Sequence, residues 1–437
     1  MLLELTVPMS LRRLLHSFAG CFTTPTFVVF TALVTGMIVQ AGKKTVCGML
    51  VGAGLSQVWA HDRAHRFFAR AVWSIDAVGL TVLDLIVAHL LDPGAPVVAA
   101  VDDTAHRRQG RKIDGVAWVH DGSAAGRQKF TYGHRWVVVG VLISLPFLSR
   151  PVCLPVLCRR WQGKGTPTPM ALACAMVTMI AGRLPGRRVH VVADAAYHGK
   201  QVRDLPGQVT WTTRLPRNAV LYGRAPQPTG KRGRPRVKGA TLGTASQIAA
   251  GVTWQPVTIT RYGRTVTTHA AVIDCLWYGS FGPVPVRMIC VRDRADRPLT
   301  LLALITTDLS TTPADLISRY AARWAIEVTF FDCRQTLGVG QARNRTATAV
   351  TRTWPFGMYV YSLVIIWYAM HGHQPEIVIQ RRLDAPWYLS KTDPAFADML
   401  TALRRTVITA RFTPVRPVQP TPAEIRQVQH AWALAAA

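Results

Sequence analysis

The chain has 437 residues, 49% of them hydrophobic, which is enough for two or three domains of about 100 to 200 residues with a sizeable core. Fifty-one lysines and arginines face 23 acids, a net charge of +28, and a polyanionic partner explains such an excess, nucleic acid first and an anionic membrane second. The eight cysteines follow no regular spacing and no secretory signal stands out, which excludes a disulfide-framework secreted domain and points to reduced thiols in the cytoplasm.

Residues 1 to about 95 read as helical, with basic side chains set into helical periodicity, and Pro93-Gly94 ends the region. Two apolar runs need testing as membrane spans, "TPTFVVFTALVTGMIV" at 24–39 and "FGMYVYSLVIIWYAM" at 356–370. Each is shorter than the roughly 18 residues a span needs and contains Gly, Thr or Ser, so buried core helices and no membrane partner are expected. His61 and His65 stand four apart without the glutamate of a metalloprotease helix, which leaves a DNA-facing or solvated pair.

"APVVAAVDDT" (95–104) reads as a buried strand delivering an acid at its C-terminal end. "HRRQGRK" (106–112) and the Gly-rich "DGSAAGRQKFTYGHR" (121–135) follow as exposed loops beside that acid, suited to a phosphate backbone. Two antiparallel strands are expected in "RWVVVGVLISLPFL" and "PVCLPVLCRRW", then a helix over 168–184. Cys153 and Cys158 would supply half of a zinc site, but no second pair follows at the usual distance, so they read as core. "RRVHVVADAAYHGK" (187–200) then repeats the first device, an apolar strand ending in Asp194.

Residues 207–305 change to alternating Thr, Val, Tyr and Trp, a β-rich insertion. Between Arg214 and Lys238 it carries eight cations and no acid, with Pro and Gly that argue for a looped segment. Trp254 and Trp277 read as core, with stacking on a flipped base as the alternative. Beyond about 372 come Pro-rich breaks and a closing helix, "EIRQVQHAWALAAA".

The late stretch "RYAARWAIEVTFFDCRQTLG" (319–338) has an unusual charge pattern. On a single helix at about 100° per residue, Tyr320, Arg323, Glu327 and Arg334 form one polar stripe. Trp324 and Phe331 flank it on one side and Ile326, Phe330 and Leu337 on the other, while Thr329, Asp332 and Thr336 mark the wet face. The stripe therefore lies in the arc that meets the rest of the protein, where charge is expensive unless paired or functional. An Arg-Glu ion pair docking an ordinary helix would account for this segment taken alone. With an acid from 102–103 and Asp194, however, Glu327 makes three carboxylates, the oxygen ligands that hard divalent cations take. Two such ions about 4 Å apart activate a water or a 3′-hydroxyl and stabilise the leaving oxygen of a phosphodiester.

These residues resemble the bacterial insertion-sequence transposases with a DDE triad and an RNase H-like core, whose signature is Y-x2-R-x3-E-x6-K. Tyr320, Arg323 and Glu327 match it in type and spacing, "RWAIE" matches the common RW-x-IE form, and Arg334 stands in place of the Lys. That change keeps the charge and alters its reach. The resemblance covers about residues 95–345. The family's first acid is usually D-x-[ST], which fits Asp102-Asp103-Thr104 with Asp102 as the ligand, since only one of two successive strand residues faces the metals.

The resemblance implies an α/β fold with an RNase H-like mixed-sheet core in two parts, 96–206 and 306–372. The β-rich insertion 207–305 separates them, a helical, DNA-binding region 1–95 precedes them, and a C-terminal region 373–437 follows. It implies catalysis and metal binding by Asp102, Asp194 and Glu327 with two Mg²⁺, or Mn²⁺ in their place, and DNA contacts from Tyr320, Arg323 and Arg334. Lys231, Arg232, Arg234 and Arg236, in "KRGRPR", resemble an AT-hook core that inserts into a narrow minor groove; a solvated basic loop is the plainer reading. The implied partner is double-stranded DNA, both the element's inverted repeats and its target, bound by a homodimer at the bacterial nucleoid. The implied reaction is cleavage at the element's ends and transfer of the 3′-hydroxyls. A catalytically silent DNA-binding derivative and a stand-alone metal-dependent nuclease are the alternatives.

Overall fold

Five helices lead the chain, α1 (Met9–His16), α2 (Thr24–Val39), α3 (Val46–Gly52), α4 (His61–Ala69) and α5 (Ile75–His89), as the amphipathic and apolar runs of this region predict. The structure, a computed structural model, describes residues 7–122, 129–227, 235–293, 301–385, 387, 391–412, 422–426 and 428. Four strands follow, β1 (Val97–Arg107), β2 (Ala117–His120), β3 (Phe130–Ile143) and β4 (Val152–Trp161), then α6 (Pro169–Arg183), β5 (Val189–Ala193) and β6 (Val209–Arg214). Every residue of β5 is buried, as expected for a Val-rich strand covered on both faces.

β1 pairs antiparallel with β3 on one side and parallel with β5 on the other; β4 lies outside β3, and β6 lies parallel to β5. The five strands thus run in the order β4-β3-β1-β5-β6, with β2 sharing the outer edge of β3. β1 is longer than its apolar run predicts. It continues past both aspartates to Arg107, because β3 pairs with it over its whole second half, so the acids sit in mid-strand rather than at its end.

The β-rich residues 207–305 do not build a separate sheet. β6 is the fifth strand of the core order, and β12 (Leu302–Thr306), β11 (Val286–Arg292), β10 (Arg264–Cys275) and β9 (Gln255–Arg261) continue the same sheet outward from it, all antiparallel. Among the described residues only β7 (Val220–Tyr222) and β8 (Thr241–Thr244) pair apart from it, near the short helices α7 (Ala245–Ala249) and α8 (Tyr278–Phe281). Trp277 is buried against His198 and Phe281, and Trp254 is stacked by Arg292, so both serve packing.

The chain then forms α9 (Pro313–Ala322), α10 (Ala325–Gln335), α11 (Ala347–Trp367), α12 (Pro375–Asp384) and α13 (Phe396–Phe412). β4 is an edge strand carrying Pro155, and helices cover its free carbonyls. The Thr329 hydroxyl of α10 donates to the Cys153 carbonyl at 2.8 Å and the Ser362 hydroxyl of α11 to that of Pro155 at 2.9 Å. Gly79 of α5 lies so close that a Cβ there would stand 2.0 Å from the Val156 carbonyl oxygen. The two apolar runs fall in α2 and α11, which are largely buried, and none of the described helices is long and apolar enough to cross a membrane. The exposed pair His61 and His65 lies on α4, with its rings 5.9 Å apart. Cys153 and Cys158 are buried and free.

Candidate active site

Alternation along β1 separates its two aspartates. Asp102 lies opposite Val138 and Asp103 opposite Val137, so the two carboxylates leave the sheet on opposite faces. On one face Asp103 accepts from Arg135 Nε at 2.6 Å and Nη2 at 2.8 Å and from the Tyr197 hydroxyl at 2.9 Å, a closed structural cluster. On the other, Asp102 Oδ2 accepts from Arg323 Nη1 at 2.8 Å, and the same guanidinium donates through Nη2 to Glu327 Oε1 at 3.0 Å. Asp102 is thus the aspartate on the face that meets Arg323 and Glu327, the one that the D-x-[ST] pattern favours.

Asp194 arrives beside it by strand register. Val101 of β1 pairs with Ala193 of β5, so the next residue on each parallel strand, Asp102 and Asp194, stands alongside the other about 5 Å apart at the backbone. Its Oδ1 accepts the Ala196 amide at 2.8 Å, and the Thr213 hydroxyl of β6 holds its carbonyl. Burial pushes the Asp102 carboxyl up to about 7; Arg323 pulls it down and the charge of Asp194 pushes it up again. Asp102, Asp194, Arg323 and Glu327 thus form one electrostatically connected group, in which Arg323 also feels Asp194.

Glu327 reaches this group through a change in helix type. The stretch 319–338 is not one helix: α9 stops at Ala322 and α10 starts at Ala325. Between them the backbone stays in the αR region while hydrogen bonds tighten to three-residue spacing, Arg323 N to Tyr320 O at 3.1 Å and Ile326 N to Arg323 O at 3.0 Å. The wet face predicted for this stretch is also reversed. Thr329 is buried on β4, Asp332 and Thr336 are half-buried, and Trp324, Val328 and Phe331, at 49%, 47% and 59%, are exposed together with Gln335.

Of the other predicted site residues, Tyr320 lies beside Arg323, whose guanidinium sits 6.0 Å from the ring centre. Arg334 donates through Nε to the Phe330 carbonyl of its own helix at 3.1 Å, and so is not drawn into the carboxylate group. Arg236 is exposed, whereas Lys231, Arg232 and Arg234 lie outside the described residues. Sequence reasoning missed Arg135 and Tyr197, although Tyr197 stands only three residues beyond Asp194.

The donor chemistry of Asp102, Asp194 and Glu327 fits a hard cation, whose charge would offset the burial that raises the Asp102 carboxyl. In the arrangement seen, Arg323 supplies that charge, and among the described residues no three acidic, His or Cys side chains converge closely enough to hold an ion. Binding by all three acids therefore requires Arg323 to release Asp102 and Glu327.

A large mixed sheet flanked by helices, with acids from neighbouring parallel strands meeting a glutamate from a later helix, fits an RNase H-like nuclease core. The family model described as DDE superfamily endonuclease matches residues 17–269, more than half of the sequence, and the chain belongs to that family. The match covers Asp102 and Asp194 and ends before Glu327. No curated protein matches the chain. Membership makes the protein a nuclease or transposase type of enzyme, acting on DNA in a family that generally depends on divalent metal.

Proposed function

We propose that the protein is the transposase of a mobile insertion sequence, cutting DNA at the element's inverted repeats and joining the 3′-hydroxyls to target DNA. The observation that carries this reading is the single guanidinium shared by Asp102 and Glu327, with Asp194 alongside: the residues of the Tyr-Arg-Glu signature and of the two strands meet at one point. Asp102, Asp194 and Glu327 would hold Mg²⁺, which when bound acidifies a water or 3′-hydroxyl and offsets charge on the leaving oxygen. Arg323, once released, has the planar fork that suits a phosphate, and Tyr320 beside it lines the same approach. The basic loop around Arg236 adds phosphate contacts that do not read sequence. Two ends must be brought together for joining, which calls for a homodimer on DNA.

The test is incubation of the purified protein with Mg²⁺, labelled duplexes carrying the inverted repeats that flank the gene, and a plasmid target. Labelled ends joined to the plasmid are expected. Cleaved but never joined ends would make the protein a stand-alone nuclease, and DNA bound but never cut would make it a silent derivative.

A further inference from the structure

The hairpin of β2 and β3 carries a surface that the carboxylate site does not use. Trp118 pairs in register with Tyr132 and His120 with Phe130, so four aromatic rings share one face of a two-stranded ribbon. The rings touch across the strands, Trp118 and Tyr132 with centroids 5.6 Å apart and His120 and Phe130 5.7 Å apart. Trp118 is 71% exposed and Phe130 61%, whereas Val119, pointing the other way, is 5% exposed. The ribbon thus turns its apolar aliphatic residue inward and its aromatic rings to solvent, the reverse of what burial alone would arrange.

Charge and register give that face a direction. Arg111, Lys112 and Lys129, around the ribbon, are exposed, and Asp114 is turned to Arg160. Alternation along β3 from Val138, opposite Asp102, places Tyr132 and Phe130 on the same sheet face as Asp102. A loop covers the stretch between, where His106 meets the Gly340 carbonyl at 3.2 Å, and the face emerges again at the rings. Gly133 makes the lateral approach possible, since a Cβ there would stand 2.0 Å from the His106 carbonyl oxygen. Arg107 pairs with Gly133, which puts Tyr132 six strand positions from Asp102, roughly 20 Å away.

We propose that this aromatic face is a stacking platform for unpaired bases of the DNA strand whose backbone reaches the acids. The proposal rests on the DNA-cleaving reading above. Cations around the ribbon hold phosphates, and exposed rings offer their faces to bases, which present a free π-face only when unstacked. A duplex would meet the cations alone.

The test uses the full chain in metal-free buffer, a fluorescent single-stranded oligonucleotide and its duplex. Trp118→Ala with Phe130→Ala should weaken single-strand binding roughly 5- to 150-fold, the equivalent of one stacked base. Duplex affinity should stay within about twofold and the salt slope should not change, because no phosphate contact is lost. Trp118→Phe with Phe130→Tyr should restore binding, and 2-aminopurine scanned along the single strand should be quenched by the wild type at one or more positions. Unchanged single-strand affinity, an equal loss on duplex, a flattened salt slope or unquenched 2-aminopurine would each overturn the platform while leaving the functional reading in place. Wild-type protein that binds neither DNA would overturn both.

Discussion

Replacing Asp102 with Asn separates what the carboxylate does for catalysis from what it does to stability. Its carboxyl moves from an ordinary value of 3.8 to about 7 on folding. Between those values the folded protein holds a proton that the unfolded chain has released, so stability falls as pH rises through this window and the full loss is felt above about pH 7. At about 1.4 kcal/mol per pKa unit the loss is on the order of 4 kcal/mol, and Asp102, at 15% side-chain exposure, is buried enough for that conversion to apply. Asn keeps the shape and an acceptor for Arg323 without the charge. The difference in unfolding free energy, Asp102→Asn minus wild type, should therefore grow by up to about 4 kcal/mol from about pH 4 to pH 8. His106 and His134, both pushed down to about 4 by burial, slope the opposite way in both proteins and cancel in the difference. Urea unfolding at a series of pH values without metal measures it, and Mg²⁺ added at the alkaline end should stabilise the wild type more than the variant. A difference that stays flat across the window would refute the reasoning.

Asp194→Ala and Glu327→Ala should each abolish metal-dependent cleavage in a labelled-end assay while leaving filter binding of the ends nearly intact; substantial residual cleavage would remove these residues from the site. Asp103→Asn should lower stability by about 1.5 to 3 kcal/mol through its bonds to Arg135 and Tyr197 yet leave cleavage in place, and a folded but inactive variant would reassign the two aspartates. Replacing Lys231, Arg232, Arg234 and Arg236 together with Ala should flatten the log-log salt dependence of DNA binding by up to about four units, at about 0.9 per phosphate, and an unchanged slope would mean these cations do not touch DNA.

Asp194 was legible because a Val-rich strand followed by an acid and small residues is a local pattern. That Asp102 and Asp103 part to opposite faces was legible from strand alternation, whereas the preference for Asp102 rested on the D-x-[ST] resemblance. The break at Arg323 was not, since no Gly or Pro marks it and both flanking segments favour helix. The wet face of α10 was misread for a related reason: Thr329 looks like a surface residue until the unpaired Cys153 carbonyl of an edge strand needs a donor. β6 reads like its β-rich successors, and only its pairing with β5, a contact outside its own segment, makes it a core strand. Arg135 and Tyr197 gave no signal because their roles depend on which way Asp103 points.

The shared guanidinium also governs the order in which the site comes into being during synthesis. Arg323 and Asp102 are 221 residues apart, and the strands that extend the sheet from β6 are made between them. A nascent chain has Asp102 and Asp194 long before it has Glu327 or Arg323. Arg323 and Glu327 then emerge about one helical turn apart, so the glutamate arrives together with the guanidinium that donates to it. Such a long-range closure forms late and slowly. A chain that stops before Arg323 therefore has its two strand aspartates without the guanidinium that bridges Asp102 to Glu327 in the finished fold.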